Sequence, residues 1–126
     1  MPQHILIVDD NLANRRLLDF WLKRKGYRTS EAENGRDAVA LLNTGHSFDL
    51  VLMDYHMPEM NGMEAARALR ALEAAAARQR LPVVAVTASE GLIPHDEFYA
   101  AGMDAVLAKP VCFQTLEKVL HRLLPG

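Results

Sequence analysis

The sequence predicts an α/β fold, a doubly wound sandwich in which one five-stranded parallel sheet carries helices on both faces. Three observations lead there. Short β-rich apolar runs alternate along the chain with segments of helical period. The strongest runs are hydrophobic at every position instead of every second one, as strands buried on both faces require. A helical segment stands between successive runs, which supplies the crossover connections that parallel strands need.

HILIV (4–8) is the first strand. Residues 12–25 follow as an amphipathic helix, with Leu17, Leu18, Trp21 and Leu22 on one stripe, Arg15, Arg16, Lys23 and Arg24 around it, and Gly26 ending the pattern. The weaker run YRTSEA (27–32) supplies the second strand, and Gly35 to Leu42 the second helix. FDLVLM (48–53) is the third strand; the alanine-rich segment from Gly62 to Ala77 has strong helix propensity and forms the third helix. LPVVAVT (81–87) is the fourth strand, followed by a short helix from roughly Asp96 to Ala101. DAVLA (104–108), another weak run, completes the sheet, and Phe113 to Leu124 is the last helix. A chain of 126 residues can bury one core, and no repeat, linker or low-complexity stretch divides it. Residues 1–126 are therefore expected to form a single domain, with no room for a second.

Composition narrows the function classes. Half the residues are hydrophobic and 24% are charged, which fits a folded soluble protein and excludes a disordered tail. The net charge is −2 and the basic residues are scattered apart from Lys23, Arg24 and Lys25, so direct nucleic-acid binding through a basic face is not expected. Cys112 has no partner for an intramolecular disulfide, which suits a reducing cytoplasm. No run approaches the ~20 apolar residues that cross a bilayer, and no signal-peptide pattern opens the chain, so membrane insertion is not expected.

In doubly wound sheets, functional groups collect beyond the carboxyl ends of the strands. Asp9 and Asp10 follow the first strand, Asp54 the third, Thr87 and Ser89 the fourth, and Lys109 the fifth. Three carboxylates meeting at one edge repel one another unless something positive joins them. A hard divalent cation answers that need, and Mg2+ suits it because it takes few protein oxygens, keeps several waters and binds phosphate oxygens as well. Beside such a metal Asp54 can act as a nucleophile toward a phosphoryl group. The Thr87 hydroxyl can donate to a phosphoryl oxygen, and the Lys109 ammonium can neutralise the charge gathered there.

Each residue has a plainer reading when taken alone. Asp9 and Asp10 could merely cap the following helix, Thr87 could be only a strand-end hydroxyl, and Lys109 a solvated charge. Their joint arrival at one rim outweighs these separate accounts. Met53, Met57, Met60 and Met63 read as packing and loop-anchoring residues, since thioethers are soft ligands and no histidine pattern supports them. His4, His46, His95 and His121 are dispersed without zinc-like spacing and are assigned to surface or strand-edge positions. The alternating charges of 64–80 read as a solvated face.

VDDN (8–11), LMDYHMPEMNG (52–62), VTA (86–88) and AGMDAVLAKP (101–110), in that order and at those spacings, resemble the receiver domains of two-component response regulators. The likeness spans the chain and implies a flavodoxin-like (βα)5 fold. It implies that Asp54 is the phosphoacceptor, Asp9 and Asp10 the metal-binding acidic pair, and the His56 backbone carbonyl a further Mg2+ ligand. Thr87 would be the switch hydroxyl, Lys109 the phosphate-pairing lysine, and the Lys109–Pro110 bond cis. DDNLANRRLL and MPEMNGMEAARALR are most similar to receivers of hybrid histidine kinases. Such domains take phosphate from a phosphohistidine on a kinase or a histidine-phosphotransfer domain, which would set Ala13, Asn14 and Leu17 near the docking surface. The implied protein is a signalling switch that catalyses its own aspartyl phosphorylation and dephosphorylation, with an output partner that the sequence does not name; it is not a conventional enzyme.

The chain departs from the family pattern at Val106, where receivers commonly carry Tyr or Phe three residues before the lysine. A stiff valine cannot swing inward as a ring does, so the signal must travel by backbone and loop shifts, with a weaker change expected over residues 92–108. His56 and Ser89, two residues beyond Asp54 and Thr87, are expected to tune the phosphoryl lifetime. Histidine changes charge near neutrality, so decay should vary between about pH 6 and 7.5 through His56. Three rivals fit less well. A phosphohydrolase with an aspartate nucleophile needs a second carboxylate where His56 stands, and a cap insertion as well. A flavin or nucleotide binder needs a phosphate-cradling loop where DDNLAN presents negative charge. A degenerate, unphosphorylated interaction module is disfavoured by the completeness of the five key side chains.

Overall fold

A computed structural model describes residues 2–44, 46–88 and 92–124. The elements run β1 (His4–Val8), α1 (Leu12–Arg24), β2 (Arg28–Ala32), α2 (Gly35–Asn43), β3 (Leu50–Asp54), α3 (Gly62–Ala76), β4 (Val83–Thr87), α4 (His95–Ala100), β5 (Ala105–Ala108) and α5 (Phe113–Leu123). Among the described residues these strands form one five-stranded parallel sheet in the order β2-β1-β3-β4-β5. The chain moves outward from β1 to β2, then returns to place β3 on the other flank of β1. That reversal opens a crevice at the carboxyl ends of β1 and β3, the place where ligands of doubly wound sheets bind.

Continuous hydrophobicity in the strands follows from burial on both faces. Leu6, Val8, Val51, Met53, Val83 and Ala85 pack with Ala38 and Leu42 of α2, Ala65, Ala66 and Leu69 of α3, and Phe98 of α4. Their neighbours in sequence, Ile5, Ile7, Leu50, Leu52 and Val84, point the other way, onto Leu18 and Leu22 of α1 and Leu116 and Leu120 of α5. Alternate residues thus serve two cores, each fully buried leucine or isoleucine contributing roughly 1.5–3 kcal/mol. A register slip of one residue would exchange the two sets, so the pairing is strongly specified.

Three asparagines start three of the helices. Asn11, Asn34 and Asn61 accept from the backbone N–H of Asn14, Asp37 and Glu64 respectively, and Glu64 returns a bond to the Asn61 N–H at 2.9 Å. The cap of α1 therefore belongs to Asn11, one residue beyond the acidic pair, which leaves Asp10 free of that task.

Several boundaries and surfaces differ from the sequence expectation. β3 begins at Leu50 instead of Phe48 and includes Asp54, whose Cα pairs with Val86. Phe48 and Asp49 stay outside the ladder because Asp49 exchanges bonds with His4 instead, N–H to His4 O at 2.8 Å and Oδ2 from the His4 N–H at 2.8 Å. The charges of 64–80 are not all solvated. Arg70 donates to Glu73 Oε1 (2.7 Å), Asp104 Oδ2 (3.0 Å) and Gly102 O (2.9 Å), while Glu73 Oε2 accepts from the Leu81 N–H at 2.6 Å. This network ties α3 to the segments entering β4 and β5. Gly102 is required there: its φ is +100°, and a Cβ would stand 2.7 Å from Arg70 Cγ. Arg15, one of the basic residues around the apolar stripe of α1, is also buried.

Candidate functional site

The crevice collects the residues singled out from the sequence. Asp9 follows β1, Asp54 ends β3 and Thr87 ends β4; all three are buried, while Asp10 is exposed. One carboxylate oxygen each from Asp9, Asp10 and Asp54 lie within 4.8 Å of one another. Lys109, just past β5, brings Nζ to 2.9 Å from Asp54 Oδ1 and 3.4 Å from Asp9 Oδ2. Its backbone N–H donates to Thr87 O at 2.9 Å, extending the β4–β5 pairing to the rim and setting lysine and threonine side by side. The Lys109–Pro110 bond is cis, as the resemblance implied.

Asp9 is held on several sides. Its N–H donates to Ala32 O (3.2 Å), its Oδ1 accepts from the Asn11 N–H (2.8 Å), and its carbonyl accepts from Arg15 NH1 (2.7 Å). Beyond β3, the Tyr55 N–H donates to Val86 O and the Tyr55 carbonyl accepts from the Gly62 N–H, both at 2.9 Å. The loop that follows Asp54 is thereby clipped to β4 and to the first residue of α3. Asp10, Tyr55, His56, Met57, Pro58 and Asn61 line a cleft of about 410 Å3 above the acids. The exposed His56 ring stands edge-on to Tyr55 with centroids 4.7 Å apart, and Tyr55 stands edge-on to Phe98 at 5.5 Å.

The electrostatics are those of a strained anion pocket. Burial pushes the Asp54 carboxyl above the usual carboxylate range; Lys109 opposes the shift, while the charges of Asp9 and Asp10 add to it. Burial works against the Lys109 ammonium, but contact with Asp54 and the charges of Asp54 and Asp9 prevail and raise its pKa. Asp54 Oδ1 stays within ion-pair distance of Lys109 yet completes no hydrogen bond of good geometry. A single ammonium against three carboxylates leaves the pocket net negative, with a buried oxygen short of partners. Oxygens sharing one Mg2+ sit roughly 3–4 Å apart, and the three carboxylates already offer one oxygen each within 4.8 Å of the others, so the residues fit a hard divalent cation.

The structure brings together Asp9, Asp10, Asp54, Thr87 and Lys109, and sets His56 on the cleft wall. Val106, in β5, packs against the core that holds Phe98 and Tyr55. Ser89 lies outside the described residues. Sequence reasoning gave no site role to Arg15, whose guanidinium grips the Asp9 carbonyl, to Glu31, which pairs with Arg15, to Tyr55, whose ring meets His56, or to Gly62, whose N–H donates to Tyr55 O. Only the position of Gly62 within MNG, at a helix start, signals a close approach.

Fold and pocket together define a doubly wound domain with a buried aspartate in an acidic cluster at the carboxyl ends of its strands. The profile of the response regulator receiver domain matches residues 5–121, and the chain belongs to that family. It is 38% identical to probable histidine kinase 4 of rice (Oryza sativa subsp. japonica), over 95% of this chain and 14% of that protein. The chain thus spans about one-seventh of the length of that relative, and 14% of probable histidine kinase 6 from the same plant, to which it is 37% identical over 98% of its own length. Among solved structures it superposes, with a TM-score of 0.85 and 32% identity over 98% of both chains, on the receiver domain of a Pseudomonas aeruginosa PAO1 sensor histidine kinase with magnesium coordinated in its active site cleft. A chain of the Saccharomyces cerevisiae co-crystal of the histidine phosphotransfer protein Ypd1 with the receiver domain of Ssk1 gives a TM-score of 0.90 at 28% identity, covering 97% of this chain and 88% of that one. Residues 5–121 are thus a two-component receiver domain, a signalling module. No helix among the described residues is long and apolar enough to cross a membrane.

Proposed function

We propose that residues 1–126 act as one cytoplasmic receiver unit in a phosphorelay and accept a phosphoryl group on Asp54. The observation that carries this reading is the 2.9 Å approach of Lys109 Nζ to Asp54 Oδ1 inside a pocket with two further carboxylates. Asp9, Asp10, Asp54 and the His56 carbonyl would hold Mg2+, which supplies charge neutralisation for the carboxylates and for the incoming phosphoryl oxygens. An Asp54 oxygen attacks phosphorus in line with the leaving group. The new bond is P–O; the broken bond is P–N, and its electron pair leaves with the donor imidazole. Lys109 meets the charge left on the phosphoryl oxygens, and the Thr87 hydroxyl donates to one of them. The same pocket returns the group to water, at a rate that His56 and Ser89 tune.

The donor is a phosphohistidine on a kinase or a histidine-phosphotransfer domain. Supporting this are the exposed Ala13 and Leu17 on α1 and an adjoining groove of about 110 Å3, whose walls include Asn14, Leu17, Lys109 and Phe113 and which leads from the helix to the site. Phosphorylation draws the loops after β4 and β5 inward, and an output partner reads the face they border. The test is incubation with acetyl phosphate and Mg2+, with the adduct located by mass spectrometry. One phosphoryl group on Asp54, absent from Asp54→Asn, is expected; equal labelling of Asp54→Asn would overturn the assignment.

A further inference from the structure

We propose that Arg15, together with Glu31, is a positioning residue that sets the Mg2+ affinity of the acidic pair, an inference that rests on the metal-dependent reading above. Arg15 projects from the first turn of α1 into the protein, where its side chain is only 9% exposed. One arm of its guanidinium, NH1, donates to the Asp9 carbonyl at 2.7 Å; Nε donates to Glu31 Oε1 at 3.0 Å. Glu31 lies in β2 opposite Ile7, and the next residue, Ala32, accepts the Asp9 N–H. The two peptide groups of Asp9 are thus pinned from opposite sides, one by the edge strand and one by the buried arginine.

The carbonyl that Arg15 grips belongs to the peptide joining Asp9 to Asp10. That unit is planar, so fixing its oxygen fixes the direction in which the chain enters Asp10. Asp10 is exposed, and packing does little to orient it. Its carboxylate depends on its backbone for its aim. Groups that orient metal ligands from behind matter nearly as much as the ligands themselves. Glu31 has a second role: a bare guanidinium beside an Asp–Asp metal pair would repel a divalent cation, and the Arg15–Glu31 pair presents no net charge. Arg16, whose guanidinium is 3.9 Å from Glu31 and mostly exposed, contributes little to this.

Arginine is required because its planar fork serves two acceptors at once. Lysine keeps the charge but cannot hold both contacts. The experiment measures the initial rate of acetyl phosphate labelling against Mg2+ concentration in the full chain, with Mg2+ binding followed in parallel by calorimetry. Arg15→Lys should raise the half-saturating Mg2+ about tenfold while the rate at saturating Mg2+ stays within about twofold, the pattern of a misaimed ligand set. Glu31→Gln should raise it in the same direction, with a shift that shrinks as salt is added. An arginine that only braced α1 would lower the melting temperature and leave half-saturation in the folded protein unchanged. Half-saturation within about twofold of the parent in Arg15→Lys overturns the inference. If that variant does not fold, Glu31→Gln decides alone, an unchanged Mg2+ dependence counting against it. A parent chain that binds no Mg2+ overturns the metal reading of the site and this inference with it.

Discussion

Lys109 and Asp54 form an ion pair 2.9 Å long in which the carboxylate is 2% exposed and still harder to ionise than a free aspartate. Burial, with Asp9 and Asp10 behind it, outweighs the neighbouring ammonium. A group whose folded pKa lies above its unfolded value lends stability that is complete below the unfolded pKa and is lost as pH rises through the folded one. At neutral pH, then, the ionised Asp54 is a burden on the fold, and this balance already includes its attraction to Lys109. Asp54→Asn should raise the melting temperature in EDTA at pH 7 by about 3–5 °C, the shift that ~1 kcal/mol produces in a domain of this size. The gain should fade as pH falls below the carboxylate range, where the parent residue is protonated too. Lys109 shifts the other balance: its raised pKa means that its stabilisation persists through neutrality and is lost only in strong alkali. Calorimetry of both proteins across pH checks this; a less stable Asp54→Asn at pH 7 would contradict it.

Mg2+ should reverse the burden. Binding to the folded state alone adds about 1.4 kcal/mol when the free metal stands at ten times its Kd. Asp10 is exposed and its side chain supports no packing, so Asp10→Asn should melt within about 0.5 kcal/mol of the parent in EDTA. In millimolar Mg2+ the parent should gain several degrees and the variant little. Equal gains in both would remove Asp10 from the metal site.

Much of this was open to reading in the chain itself, for a physical reason. Strands buried on both faces leave unbroken apolar runs, and their carboxyl ends locate the crevice, so Asp9, Asp10, Asp54, Thr87 and Lys109 could be placed together without coordinates. The apolar Phe48 extends the sequence pattern of the third strand two residues before Leu50, where the ladder begins. Its neighbour Asp49 pairs with His4 and withdraws both from the ladder. Periodicity places Arg15 beside the apolar stripe but cannot show its burial, because periodicity along a helix sees only that helix. Its burial depends on Glu31, 16 residues away on an edge strand. Arg70 is the same case, its partner Asp104 being 34 residues distant. Charges that find tertiary partners look, in sequence, like charges that find water.

Gly62 marks a close approach between α3 and the end of β3. A Cβ there would stand 2.6 Å from the Asp54 carbonyl oxygen and 3.1 Å from Tyr55 Cα, both backbone atoms that cannot rotate away. Alanine normally favours a helix over glycine by about 0.8–1.0 kcal/mol, but this overpacking costs about 1–3 kcal/mol, and the clash should win. Gly62→Ala is expected to lower stability by up to roughly 2 kcal/mol on that balance and to slow labelling of Asp54 by shifting the strand end. A variant at least as stable as the parent and labelled at the parent rate would show that β3 and α3 separate at no cost.

Tyr55 supplies the route by which the site can reach α4. It follows Asp54 directly, and its ring meets Phe98, fully buried in α4, edge to face at 5.5 Å. Val106 packs against the same core but offers no ring to move. Displacement of the β3 end on phosphorylation would therefore press on Phe98 through Tyr55, while β5 responds only through its backbone. Amide shifts on phosphorylation should be largest around Asp54, smaller over 92–108, and concentrated there near Phe98. Tyr55→Leu removes an aromatic contact worth about 0.5–1.5 kcal/mol and should erase the α4 component while leaving labelling of Asp54 intact. Val106→Ala should change neither. Shifts across 92–108 as large as those beside Asp54, or an α4 response that survives Tyr55→Leu, would place the route elsewhere.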